Sequence, residues 1–490
     1  MDRQNLYAGA AQRVITPPVG VSMSGWNPRA SGDIRSRYVR DDLYARALVL
    51  RNGSRSWALV AVDLSGVDAV ATEQIRCGAA ERTGLSPDAI MVCATHTHSG
   101  PAFCPVATAY SPEDMARLTI RGDGSAPAAM GQVTSVSSSA SWVGETDLAW
   151  KARFVAQAAA AVEEAYGTLR PASVGFGEAG VDGVASSRRV LMSDGSWGDP
   201  RRHPVEGVRV VSRTSIDPLV RVFGVREQGT GAPLAAVMNY GTHPWIFCGT
   251  GISAEIAGAA SDRVAEAWSR DGSETPVILY TSGPEGDVTP IWNVDIEGVW
   301  RTRPGEDPEE RLSRRERGFD RELARLGGRV AAGAMAAVRG IVRWDGTPEL
   351  WARRKEVALP LKAGYRHVDD VILADWQRDA PESHHLTEVQ TLGIGEGVFL
   401  GLPGEPFVSL GKAIRERSGT RRLLIAALAN EFGAVSYIAD REAFEQGGYE
   451  TAFTPVGPGG GEALVDGAVA LLGGHDARPQ GQASNLRPAF

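Results

Sequence analysis

Cysteine is scarce in this chain of 490 residues, limited to Cys77, Cys93, Cys104 and Cys248 with no C-x-x-C spacing. Four such residues cannot staple a chain of this length, so a disulfide scaffold is excluded and reduced thiols are expected. Long apolar runs are missing too. No stretch approaches the ~20 apolar residues that a spanning helix needs, so no transmembrane segment is expected. The opening Met1-Asp2-Arg3-Gln4-Asn5-Leu6 lacks the apolar core of a secretory signal, and together with reduced thiols this gives an expected cytoplasmic location. Positive charge is in deficit: 51 Lys and Arg stand against 59 Asp and Glu, for a net charge of -8. With no dense basic run to offset that balance, nucleic acid is excluded as a partner.

What is present is ordinary globular material, 43% hydrophobic and 22% charged, enough for a sizeable core. Strand-like apolar runs cover 44–50, 57–64, 219–225, 234–240, 277–280, 397–402 and 423–428. Several are apolar throughout, as strands covered on both faces are. Amphipathic helical periodicity covers 147–167, 256–270, 316–339 and 408–418. This interleaving predicts an α/β (mixed α+β) protein of layered β-sheets flanked by outer helices. Neither an internal repeat nor an interdomain linker is visible, so residues 1–472 are expected to form a single large domain, with 473–490 a polar tail. The stretch 103–145, rich in Ser, Gly, Ala and Thr, reads as a long loop acting as a lid or access wall, and 293–313 as a charged, Pro-containing loop.

Histidine is also scarce, with eight copies, yet two stand together in Cys93-Ala94-Thr95-His96-Thr97-His98-Ser99-Gly100-Pro101. Alternate side chains of a strand share a face, so an apolar strand over 89–94 delivers both imidazoles at its C-terminal end. Neutral imidazole suits zinc, although an isolated His-x-His is more often a pair of hydrogen-bonded loop residues. Other islands share this design of an apolar strand ending in a tight turn. His243 follows Met238-Asn239-Tyr240-Gly241-Thr242, and Ser282-Gly283-Pro284-Glu285-Gly286-Asp287-Val288-Thr289-Pro290 follows another strand. Glu405, held between Gly404 and Pro406, suits either a metal-ligating carboxylate or the N-terminus of the helix that follows. Tyr437 and Tyr449 suit ligation as phenolate or donation to a developing oxyanion. Cys104 and Cys248 lie near His98 and His243 in sequence, and a packing role is expected for both.

Taken in order, these islands resemble the neutral ceramidase family (neutral/alkaline non-lysosomal ceramidases), which are zinc-dependent amidases. The resemblance runs from Gly9 to about Leu472. It rests on Gly9-Ala10-Ala11-Gln12-Arg13-Val14-Ile15-Thr16-Pro17-Pro18-Val19-Gly20, Asp42-Leu43-Tyr44-Ala45-Arg46-Ala47 and Thr95-His96-Thr97-His98-Ser99-Gly100-Pro101. It continues through Gly286-Asp287-Val288-Thr289-Pro290, Pro403-Gly404-Glu405-Pro406, and Tyr437 with Tyr449. The resemblance implies a ceramidase-like catalytic domain with Zn2+ held by His96, His243, Glu405 and Tyr437. It further implies that His98 is the acid/base group and that Tyr449 donates to the substrate carbonyl oxygen. Arg189, beside Arg188 in Ala185-Ser186-Ser187-Arg188-Arg189, resembles an arginine that lines the family's active site, and either of the pair fits. Glu255 falls where the family has an aspartate, a swap that a histidine-orienting role tolerates.

Two mechanisms follow from the resemblance: attack by a zinc-activated water, or covalent attack by Thr289, which needs a positioned base. Neither the secretion signal nor the C-terminal immunoglobulin-like domain of the family's larger members is expected in this protein. Ala102-Phe103-Cys104 replaces the usual small residues, and Ile291 stands where the family shows a polar amide. These departures touch substrate access and leave the implied ligands alone. The expected activity is therefore zinc-dependent hydrolysis of an N-acyl bond, in a ceramide-like compound or, in preference, a smaller soluble one. A zinc-dependent esterase, lactonase or acyl-bond cyclase, and a non-catalytic binding protein on the same scaffold, are the alternatives. The expected partner is a small-molecule N-acyl substrate, and a homo-oligomer is left open.

Overall fold

Alternation within the strands decides how the layers stack. The structure, a computed structural model, describes residues 5–24, 35–103, 106, 147–198, 207–246, 250–269, 274–291, 305–365 and 372–473. Apart from Phe103 and Val106, the expected lid over 103–145 lies outside the described residues, as do Cys104, Cys248, residues 293–304 and the tail beyond Gly473.

Eight strands make the larger sheet: β1 (Leu6–Val14), β2 (Tyr44–Asn52), β3 (Arg55–Val62), β4 (Ile90–Ala94), β5 (Arg170–Gly180), β6 (Leu219–Glu227), β7 (Pro233–Tyr240) and β8 (Val277–Ser282). Their order is β8-β7-β6-β5-β1-β2-β3-β4, antiparallel except for the parallel edge pairs β7/β8 and β3/β4. A second sheet holds β9 (Leu350–Pro360), β10 (His384–Ile394), β11 (Gly397–Gly401) and β12 (Arg422–Ala426) in that order, with only β11/β12 parallel.

In β3, Ala58, Val60 and Val62 face helices α1 (Ala69–Thr83) and α2 (Leu148–Gly167). The alternate residues Trp57, Leu59 and Ala61 turn the other way, into a core shared with Leu392, Phe399 and Leu424 of the second sheet. Helices α3 (Glu255–Trp268) and α4 (Pro308–Arg339) cover the outer face of the other half of the large sheet. On the far side, α5 (Val408–Ser418), the short α6 (Arg441–Gln446) and α7 (Tyr449–Phe453), and α8 (Gly460–Leu472) come in sequence. Of these, α5, α6 and α8 pack on the second sheet. The result is four layers, helix–sheet–sheet–helix, the layered α/β arrangement the sequence predicts.

Phe399 is the hinge-pin of the inter-sheet core, 1% exposed, with its ring edge-on to Trp57 at 5.8 Å and to Phe223 at 5.2 Å. Phe399→Ala is expected to cost ~3–5 kcal/mol, read as a lower denaturation midpoint at unchanged slope.

Sequence periodicity misses α1 and β10 for one reason. Arg76 of α1 and Glu388 and Gln390 of β10 read as surface residues, yet all three are buried. Arg76 pairs with Glu388 at 2.6 Å and donates to Gln390 Oε1 at 3.0 Å. Charge is buried here because it is matched. Helix α4 also begins at Pro308, earlier than expected, with Asp307 Oδ1 accepting from Glu310 N at 3.2 Å. Residues 308–313 of the expected charged loop are therefore helical.

The two parallel edges are far apart in strand order but are stitched together by residues 427–430. Ala427 N donates to Ser282 O at the end of β8 (2.9 Å), and Asn430 N donates to Val92 O of β4 (2.7 Å). Ala94 N in turn donates to Leu428 O (3.1 Å). This seam draws the C-terminal ends of β4, β8 and β12 together. In sheets with parallel strands, such ends are where ligands bind.

Candidate metal centre

His96, His243 and Glu405 each follow a strand of the two large sheets within a few residues. His96 lies two positions beyond β4, its backbone held by Leu64 O at 2.9 Å and forced to a φ of 65°. His243 follows β7. Beyond β11, Glu405 pairs in parallel register with Tyr437 through the two-residue strands Glu405–Pro406 and Tyr437–Ile438. That register needs Gly404, whose φ is 58° and whose absent Cβ would lie 2.3 Å from Ser436 O. Among the described residues, the non-glycine residues with positive φ are His96, Glu255, Leu428, Asn430 and Ser436. All five lie in the seam or beside a candidate ligand. Such strain costs ~1–3 kcal/mol per residue and gathers at functional sites.

Second come the tautomers. His96 Nδ1 lies 2.5 Å from Ser65 O, and His243 Nδ1 lies 3.0 Å from Glu285 O. A carbonyl oxygen only accepts, so both Nδ1 atoms carry the proton and both Nε2 lone pairs are left free. Those lone pairs face a carboxylate: His96 Nε2 is 3.5 Å from Glu405 Oε1, and His243 Nε2 is 2.9 Å from Glu405 Oε2. In spite of that closeness, His243 Nε2 and Glu405 Oε2 are buried without an aligned hydrogen-bond partner. Burial, with Arg188 adding to it, pushes His243 down to about 4, so the ring is neutral at pH 7. Burial raises Glu405, and positive charge in the space it shares with the His96 and His243 rings lowers it well below the usual carboxylate range. Two lone-pair nitrogens and an anion converging in a buried space is a donor set that fits a cation such as Zn2+.

His98 joins this cluster. Its Nε2 lies 3.2 Å from His96 Nε2, and the imidazole nitrogens of His96, His98 and His243 all lie within 4.8 Å of one another. Unlike the other two, His98 is half-buried. Its loop is fixed by Glu255, whose carboxylate accepts from Ser99 Oγ at 2.6 Å and from Ile246 N at 2.8 Å. Burial pushes Glu255 up to about 8.

Tyr437 stacks near His243, with ring centres 6.5 Å apart and planes 26° apart. Burial pushes its hydroxyl well above the usual phenol range. Tyr449 meets it edge-on at 5.9 Å and is half-buried. The two adjacent arginines do different things. Arg189 donates to Glu450 (3.1 Å), Gln446 (3.0 Å), Gly447 O (2.8 Å) and Ala443 O (3.3 Å), so it holds α6 and α7 in place. Arg188 lies over the Tyr437 ring at 5.1 Å and pairs with Glu450 at 2.7 Å. Burial alone would lower its pKa, but Tyr437, Glu450 and Glu405 raise it, so it stays charged. Thr289 is buried in a short strand paired with residues 185–187, and among the described residues its hydroxyl has no hydrogen-bond partner.

The structure thus gathers His96, His98, His243, Glu405, Tyr437 and Tyr449, and it turns Arg188 rather than Arg189 toward Tyr437. Sequence reasoning missed Glu285 and Glu450. Glu285 anchors His243 through its carbonyl while its own side chain, raised by burial and by Glu405, keeps its proton. Glu450 ties both arginines to α7. The only signal in sequence is that each is an acid beside a residue already singled out.

Comparison with solved structures finds the same fold in neutral ceramidase from Pseudomonas aeruginosa. The TM-score is 0.68 at 18% identity, over 99% of this chain and 77% of that chain. A ceramidase complexed with C2 is similar at TM-score 0.68 and 17% identity, over 98% of this chain and 77% of that one. No family model matches the sequence, and no curated protein matches it. Among the described residues, no helix is long and apolar enough to cross a membrane.

Proposed function

We propose that this protein, which has the neutral ceramidase fold, is a metal-dependent amidohydrolase acting on a small N-acyl compound. The observation that carries the reading is the convergence of two backbone-anchored imidazoles on the buried, anionic Glu405. His96, His243, Glu405 and Tyr437 are the residues that would hold Zn2+. Bound there, the ion would polarise the scissile carbonyl and bring the pKa of a water to ~7.

The chain's own groups supply the rest. His98, open to solvent on one side, takes the proton from the attacking water and returns it to the departing amine. Tyr449 donates its hydroxyl to the oxygen that becomes negative. Arg188, charged and set against Tyr437, adds positive potential on that side; the role expected of Arg189 passes to it, because Arg189 is committed to α6 and α7. Water is the nucleophile in this reading, because among the described residues the Thr289 hydroxyl has no hydrogen-bond partner to act as its base.

The experiment is a hydrolysis screen of paired amides and esters, with and without chelator. Amide cleavage is expected, lost with chelator and restored by Zn2+; cleavage of esters alone, or activity that survives metal removal, contradicts it. Thr289→Ala is expected to keep kcat within about tenfold of wild type, whereas loss of a nucleophile costs on the order of 10⁴-fold or more.

A further inference from the structure

Trp245 has no part in the reaction as derived, yet it stands beside the proton carrier. Its ring lies 6.3 Å from that of His98, the planes tilted by 37°, and it is half-buried. Its backbone is held on both sides. Two residues before it, His243 is tied by Nδ1 to Glu285 O; one residue after it, Ile246 N donates to Glu255 Oε2 at 2.8 Å. Pro244 between these anchors stiffens the turn further. A large aromatic ring on a backbone fixed at both ends is a wall of set position.

Which side of the substrate it lines follows from the chemistry. The oxyanion side is occupied by Tyr449, which packs with Tyr437 and Phe453. His98 serves the leaving nitrogen, and Trp245 is its ring neighbour. We propose that Trp245 is the specificity-determining wall of the leaving-amine subsite, and that it selects amines carrying a flat aromatic substituent. This rests on the amidohydrolase reading, in which His98 protonates the amine. An aromatic group offset-stacked on indole gains over an alkyl chain of similar size, and the ammonium formed on cleavage is itself attracted to the indole face.

The test compares N-acetyl-phenethylamine with N-acetyl-2-cyclohexylethylamine, which share the acyl group and match in size but differ in aromaticity, using the metal-replete full-length protein. The ratio of their kcat/KM values is expected to be about ten in wild type, the scale of one ring contact. It should fall to near one in Trp245→Ala, mainly through KM for the aromatic amide, and recover most of its value in Trp245→Phe. A ratio unchanged in Trp245→Ala, or no preference in wild type, overturns the proposal; a structural role for Trp245 would lower both rates together and leave the ratio intact. If wild type cleaves neither amide, that failure bears on the amidase reading. The subsite is then judged by calorimetric binding of phenethylamine against 2-cyclohexylethylamine: a preference lost in Trp245→Ala supports it, and equal binding overturns it.

Discussion

Glu405→Ala is expected to abolish turnover, lowering kcat/KM by on the order of 10³-fold or more, about 4 kcal/mol. Among the described residues, its carboxylate is the one placed directly against both His96 Nε2 and His243 Nε2, so its removal leaves two neutral nitrogens that bind a divalent cation weakly. The same geometry predicts an opposite effect on the metal-free protein. There, the His243 Nε2 lone pair faces Glu405 Oε2, both buried with no aligned partner, an arrangement that costs stability. Chelator-treated Glu405→Gln should therefore be no less stable than chelator-treated wild type. Metal should raise the melting temperature of wild type far more than that of the variant, because a ligand that binds only the folded state stabilises it. Equal metal-induced shifts would contradict the assignment.

Removing His98 produces the second large effect, and it separates two readings of the imidazole cluster. All three rings are close enough to share an ion, so distance alone leaves His98 as either ligand or proton carrier. Its half-exposed position suits proton exchange with solvent, whereas His96 and His243 are buried and held by carbonyl oxygens on their far nitrogens. His98→Ala is expected to lower kcat by about 10²–10⁴-fold with KM little changed and the metal retained. Loss of the metal along with activity would make His98 a ligand. Tyr449→Phe should lower kcat by about 10²–10³-fold, the scale of one oxyanion donor, again with metal kept.

Much of this was legible in the chain because the design is repetitive. Apolar strands that stop at Gly, Pro or polar turns point to their own C-terminal ends, and His96, His243 and Glu405 lie there. The layered α/β class follows from the same runs. What stayed hidden depends on partners far away in sequence. Strand β10 reads as polar until Arg76 is seen against Glu388, 312 positions away. The seam at 427–430 is invisible because its role is to join β8 to β4, and no local pattern encodes that pairing. Arg188 and Arg189 are equivalent in sequence, but adjacent residues at a strand end point apart. One therefore reaches Tyr437 while the other is taken up by α6 and α7.

The most direct measurement is the metal content of the purified protein beside that of His96→Ala and Glu405→Ala. About one zinc per chain is expected in wild type and little or none in either variant, with all three folded by circular dichroism. If both variants keep stoichiometric zinc, the ion is bound elsewhere and this centre is not the catalytic one.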